Sequence, residues 1–297
     1  MLNNSNKNAL AIFGLLFGAL AWGVIWYPYR LMAEAGVSGV ASSFYTYLIA
    51  TTLGAAIFAK HWRGLFMQPI SIIWLGLAAG WANMSYVVAV IDGEVMRIML
   101  LFYLSPLWTL LLARYWLKEP ITRIGLISIS VALLGAYIML AGPFVKLANH
   151  WPMPQNNPEW LALTSGMAFA LANVITRKSS HLSIRAKSFA VWMGVLGTSL
   201  LLAPFMGDNF PTPSFFSINN WLAMGLIALF LMAATILVQF GVTQLTAIRA
   251  SVLFLFELVV AAFASYYLAF ETMSLNEWIG GSLIIAAALI AAFNHRD

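Results

Sequence analysis

Long apolar runs recur along the whole chain, each close to the ~20 residues a helix needs to cross a bilayer, with short polar stretches between them. Ten runs are read, at about 9–28, 40–59, 70–91, 95–116, 121–142, 159–177, 187–206, 219–241, 249–269 and 276–294. They predict about ten transmembrane helices. The polar stretches 143–158 and 207–218 are too short to fold alone. The expectation is an all-α integral membrane protein with a single membrane domain over residues 1–297. Lys7 followed by an apolar core with Ala19-Leu20-Ala21 resembles a cleaved secretion signal. The run stays apolar through Trp22 to Tyr27, so it is read as an uncleaved first helix.

Composition removes the soluble alternative. The chain is 62% hydrophobic and 8% charged, whereas soluble domains carry about a quarter charged residues to cover their surface. The basic residues add an orientation. With the spans above, Lys7, Lys60, Arg63, Arg114, Lys118, Arg123, Arg177, Lys178, Arg185, Lys187, Arg249 and Arg296 share one side, against Arg30, Arg97 and Lys146 on the other. The positive-inside rule places the crowded side and both termini in the cytoplasm, as in a multi-pass protein of the inner (plasma) membrane. The net charge of +5 is then a topology signal. Its residues are scattered over separate loops, so no nucleic-acid partner is expected.

Catalytic chemistry finds no foothold. There is no cysteine, and His61, His150, His181 and His295 fall far apart in loops or at the terminus. No His-Glu-x-x-His helix, Gly-x-Ser-x-Gly elbow or Gly-x-x-x-x-Gly-Lys phosphate loop occurs. No enzyme activity, metal or cofactor is expected.

The chain also repeats itself. Arg97 recurs as Arg249 and Glu119 as Glu271, each 152 positions later, and Ala19-Leu20-Ala21-Trp22 recurs as Ala170-Leu171-Ala172-Asn173. The repeats are placed at about 9–142 and 159–294. Each holds about five helices, an odd number, so the second must enter the membrane upside down. Inverted repeats of this kind characterise secondary transporters.

The stretch Leu101-Phe102-Tyr103-Leu104-Ser105-Pro106-Leu107-Trp108 with Leu117-Lys118-Glu119 resembles the first-half signature of EamA-type transporters. Leu253-Phe254-Leu255-Phe256-Glu257-Leu258, then Glu271 and Trp278-Ile279-Gly280-Gly281, is its second-half counterpart. The resemblance spans essentially the whole chain and implies the drug/metabolite transporter superfamily, with ten helices in two inverted halves and a central cavity. Leu258 departs from the family's frequent Pro after the second-half Glu. The residues therefore give no warrant for a bend in the ninth helix like that of the fourth.

Candidate binding residues follow from what is costly inside a bilayer. Glu257 is placed near a helix midpoint, where an ionisable group costs about 2.5–3.5 kcal/mol on insertion scales. It is a candidate proton carrier or cation ligand, or else a structural tie. Asn83 in the third helix, Asn173 in the sixth and Gln239 in the eighth are candidates to converge with it. Trp22, Trp26, Tyr86, Tyr103 and Trp108 are candidates for the apolar walls. Pro106 removes a backbone bond to Phe102, making it a candidate gating hinge. Gly14-x-x-x-Gly18 and Gly76-x-x-x-Gly80 are read as packing seams inside the bundle, with the protein a monomer or weak dimer.

The expected function is secondary active transport of small metabolites, amino acids or related amphipathic compounds, with export or exchange implied by the resemblance. Proton coupling through Glu257 goes with it. A lipid or lipid-precursor flippase, or a channel-like facilitator, is the alternative.

Overall fold

A computed structural model describes residues 4–58, 69–93, 95–141, 154–205, 216–268, 270 and 272–293. Lys60, His61, Trp62, Arg63, Lys146, His150, Glu271, His295 and Arg296 lie outside these residues, as does the side chain of Arg97. Among the described residues the structure is helical throughout, with no strand. The helices are α1 (Asn4–Glu34), α2 (Gly39–Phe58), α3 (Pro69–Asp92), α4 (Val95–Phe102) and α5 (Ser105–Leu112), which runs into a π turn at Ala113–Leu117. They continue as α6 (Arg123–Ala141), α7 (Asn157–Lys178), α8 (Ile184–Leu202) and α9 (Ile218–Gln244), then α10 (Ala247–Phe254), α11 (Phe256–Leu268) and α12 (Leu275–Phe293).

Among the described residues, seven segments are long and apolar enough to cross a membrane: Asn6–Glu34, Gly39–Phe58, Ile70–Val90, Ile98–Leu117, Ile218–Gln244, Ala247–Leu268 and Leu275–Phe293. Arg123–Met139 is apolar but shorter. The runs read at 159–177 and 187–206 fall mainly on α7 and α8, which bury Asn173, Thr176, Lys187 and Ser188. Those polar side chains lower the hydropathy of helices whose faces are turned inward. The outer faces are apolar instead: Ile70, Ile73, Trp74, Leu77 and Trp81 of α3 are all exposed and recur at helical spacing. An apolar outer face, with polar side chains such as Asn173 and Lys187 among the buried ones, suits lipid as the solvent.

Local signals set the helix starts. Asn156 Oδ1 accepts from Glu159 N at 3.0 Å, while the Glu159 carboxylate accepts from Gln155 N and from Asn156 Nδ2. Ser274 and Glu277 make the same reciprocal exchange ahead of α12, satisfying backbone donors that a helix start leaves open. Ser183 and Ser217 cap α8 and α9.

Packing follows the small residues. A Cβ on Gly14 would sit 2.6 Å from the Leu237 carbonyl oxygen, and one on Gly18 would collide with Val238, so α1 lies against α9. A Cβ on Gly76 would be 2.9 Å from the Ala190 carbonyl oxygen, and Gly80 and Gly194 touch backbone to backbone, joining α3 to α8. Both glycine motifs are used inside the chain. The main contacts come in matched sets: α1 on α9 and α3 on α7, α3 on α8 and α2 on α9, with α6 against α12.

Candidate functional site

Two helix breaks organise the centre. α4 stops at Phe102, Tyr103 and Leu104 form a turn, and α5 restarts with Pro106 in its first turn. Proline has no N–H to give to Phe102, so that carbonyl is freed from the helix. It lies against Gly166 of α7, where a Cβ would be only 2.5 Å away. The glycine thus lets a second backbone close over the broken turn. The second break is at Leu255, between α10 and α11, in the ninth helix, where Leu258 in place of the family's frequent Pro offered no warrant for a bend. No proline causes it. Leu255 N–H bonds to the Val252 carbonyl at 3.2 Å, and Leu258 N–H to the Leu255 carbonyl at 3.1 Å, a tightening of the helix. The side chains there are fixed by packing: Tyr103 and Leu255 share one buried cluster with Ile129, Val252, Val259 and Ile284.

Glu257 follows closely after the second break, and its carboxyl lies beside the Tyr103 hydroxyl at the first. Tyr86 of α3 is close enough to both to interact electrostatically. Three candidates named from sequence, Tyr86, Tyr103 and Glu257, are therefore brought together. An aromatic chain lies next to them: Tyr86–Phe102 at 4.7 Å between ring centroids, Phe102–Phe169 at 5.7 Å and Phe169–Phe254 at 5.2 Å. Trp22 packs with Phe169 and Phe254 around Leu15, Val238 and Leu253. A Cβ on Gly23 would be 2.9 Å from the Glu257 carbonyl oxygen, so α1 passes directly behind the acid. Phe102, Phe169 and Phe254 escaped the sequence reading. Phe is common in any span, and only the fold shows that these three are in contact.

The other candidates are distributed around this centre. Trp26 is half-buried on α1, its ring edge-on to Tyr27. Asn83, Trp108 and Asn173 each hold a buried polar atom without a hydrogen-bond partner: Oδ1, Nε1 and Nδ2 respectively. Gln239 is placed elsewhere, with its Oε1 accepting from Thr176 Oγ1 at 2.9 Å.

Gln239 belongs to a polar network at the Lys/Arg-rich end. Lys118 takes a left-handed backbone (φ 58°) and turns Glu119 under the bundle. One Glu119 oxygen accepts from Arg177 Nε at 3.0 Å, and the other caps the start of α10 at Ala247 N, also 3.0 Å. Arg177 Nη1 donates to the Thr243 carbonyl at 2.6 Å. Lys187, fully buried, donates to Thr243 Oγ1 at 2.7 Å and to the Thr176 carbonyl at 3.2 Å. Arg249 donates to the Ala291 and Ala292 carbonyls at the end of α12. This network ties the end of the π turn to α7, α8, α9 and α10. A cleft of about 110 Å³ lined by Glu119, Thr122, Ser128, Ile248 and Arg249 opens beside it.

With this geometry in place, comparison with known proteins is specific. The EamA-like transporter family model matches the chain twice, over residues 9–141 and 157–293. An "Uncharacterized transporter" of Archaeoglobus fulgidus is 27% identical over 210 residues, 70% of each chain. A protein of known crystal structure shares the fold with TM-score 0.74 at 16% identity, over 97% of this chain and 98% of that one. The chain belongs to the EamA-like transporter family and is a multi-pass membrane transporter of small molecules.

Proposed function

We propose that this EamA-family member is a secondary active transporter, an exporter or exchanger of amino acids or related amphipathic metabolites, working by alternating access. Its ten crossings form one membrane domain of two inverted halves in the inner membrane, with both termini in the cytoplasm. The observation that carries this reading is the pair of helix breaks. Tyr103 and Leu255 stand 152 positions apart, the spacing that also relates Arg97 to Arg249, and they meet in a single core cluster, with Glu257 beside Tyr103. The matched helix contacts and the double family match support the same two-fold relation. Two copies of one unit facing a shared site can exchange conformations, opening the site to each side in turn.

In this conformation the Lys/Arg-rich end is shut by the Glu119–Arg177–Lys187 network. Tyr86, Tyr103 and Glu257, with Trp22, Trp26 and Asn83 around them, supply an acid for a proton or an amine and rings for an apolar body. Trp108 and Asn173 add donors at the periphery. Pro106 is the hinge, because the turn before it already lacks its helical bond.

Purified protein in liposomes loaded with unlabelled amino acid should take up labelled amino acid by counterflow, saturably. Flux that rises linearly with concentration and shows no counterflow would make the protein a channel instead.

A further inference from the structure

Inside a dry bundle, a Ser or Thr hydroxyl is readily satisfied by the carbonyl three or four residues earlier on its own helix. Thr109, Thr198, Ser199, Thr235 and Thr243 all do this. The buried face of α2 does not. Ser42, Ser43, Thr46 and Thr51 are buried there, and none of their hydroxyl oxygens has a hydrogen-bond partner. Ser43, Thr46 and Tyr47 share one face of the helix by spacing. The Tyr29 hydroxyl of α1 lies beside Ser43 and Thr46 without completing a bond of normal geometry to either. Tyr47 packs in the same cluster as Tyr29. Unpaired buried hydroxyls are costly, and Ser43 and Thr46, both beside Tyr29, call for an occupant with polar atoms of its own.

The position of this group indicates what occupies it. Trp22, Trp26 and Tyr29 lie on one face of α1 by their spacing, so the face that carries two wall residues runs on into the hydroxyl group. Tyr29 is six residues beyond Gly23, the residue that abuts Glu257, and is thus roughly 9 Å further along the helix axis. α2 contains no charged residue, so the group to be recognised there is uncharged.

We infer that Tyr29, Ser43 and Thr46 form a subsite for an uncharged hydrogen-bonding group of the cargo, an amide or hydroxyl. The inference rests on the amino-acid reading above and narrows it to polar side chains. L-Asparagine and L-leucine are near-isosteric probes, differing by an amide in place of two methyls. In counterflow by the full chain, asparagine should be preferred by about tenfold or more, because a site built to hydrogen-bond rejects an apolar isostere. Tyr29→Phe, and Ser43→Ala combined with Thr46→Val, should bring the ratio close to one by weakening asparagine alone. Thr46→Ser, which keeps the hydroxyl, should retain the preference.

A wild-type ratio near one, with both probes transported, would overturn the subsite and leave the amino-acid reading intact. A preference untouched by the variants, with only their melting temperature lowered, would assign the hydroxyls to structural water and also overturn it. Absence of transport of either probe by wild type would remove the amino-acid reading and this inference with it.

Discussion

Glu119→Gln tests the closed end most directly. The Glu119 side chain is 13% exposed and that of Arg177 27%, so solvent screens the pair only partly. The carboxylate makes two charge-assisted contacts, to Arg177 Nε and Ala247 N. Gln keeps one acceptor oxygen and the shape but removes the charge. The loss is then one hydrogen bond to a charged group, about 2 kcal/mol from a range of ~1.5–3. If the network holds this end shut, that loss favours the open form by about thirtyfold, since 1.4 kcal/mol is tenfold. Because the chain has no cysteine, Asn173→Cys is a clean reporter. Asn173 is buried, one turn of α7 from Thr176. Its maleimide labelling from the Lys/Arg-rich side should rise about thirtyfold in the Glu119→Gln background. Arg177→Lys, which keeps the charge but loses the Nε geometry, should fall between. A labelling rate unchanged to within about twofold in a normally melting Gln variant would refute the gate. The network would then be a fixed brace.

Glu257→Gln retains an acceptor for the Tyr103 hydroxyl and cannot ionise. It should fold, keep counterflow and lose accumulation driven by a pH gradient; accumulation with unchanged pH dependence would make Glu257 a structural tie. Two glycine substitutions on α8 should diverge although they lie three residues apart. Gly194→Ala puts a methyl onto the Gly76 carbonyl and should cost about 1–3 kcal/mol or more of stability. Gly197→Ala meets nothing within 4 Å and should be neutral to stabilising by up to about 1 kcal/mol, so equal melting temperatures for the two would contradict the α3–α8 crossing.

Some features were legible because bilayer physics acts on each segment separately. Length and apolar content mark a span without reference to any other span, which is why the expected runs fall mostly on helix among the described residues, the fourth and ninth being broken at Tyr103 and Leu255. Pro106 announced its own break, since a missing N–H is a local fact. The glycine motifs, likewise, showed that two backbones would approach. They did not show that α9 and α8 would be the partners, because a small residue carries no address.

Other features depended on residues far apart in sequence. The break at Leu255 is packed among side chains of α4, α6 and α12, and no proline marks it in the sequence. Gln239 has the same chemistry as a cavity amide, and only its distance to Thr176 put it in the polar network. Glu119 and Arg177 are 58 residues apart and meet because α7 returns beside the π turn. The orphaned hydroxyls of α2 are a three-dimensional fact as well: Ser and Thr in a span look alike until the structure shows which have turned from their own backbone. The sequence by itself determined which segments are long and apolar enough for a bilayer and which residues are costly there. Tertiary structure decided which of those residues meet, because that depends on the close approach of helices whose contacts are set by shape.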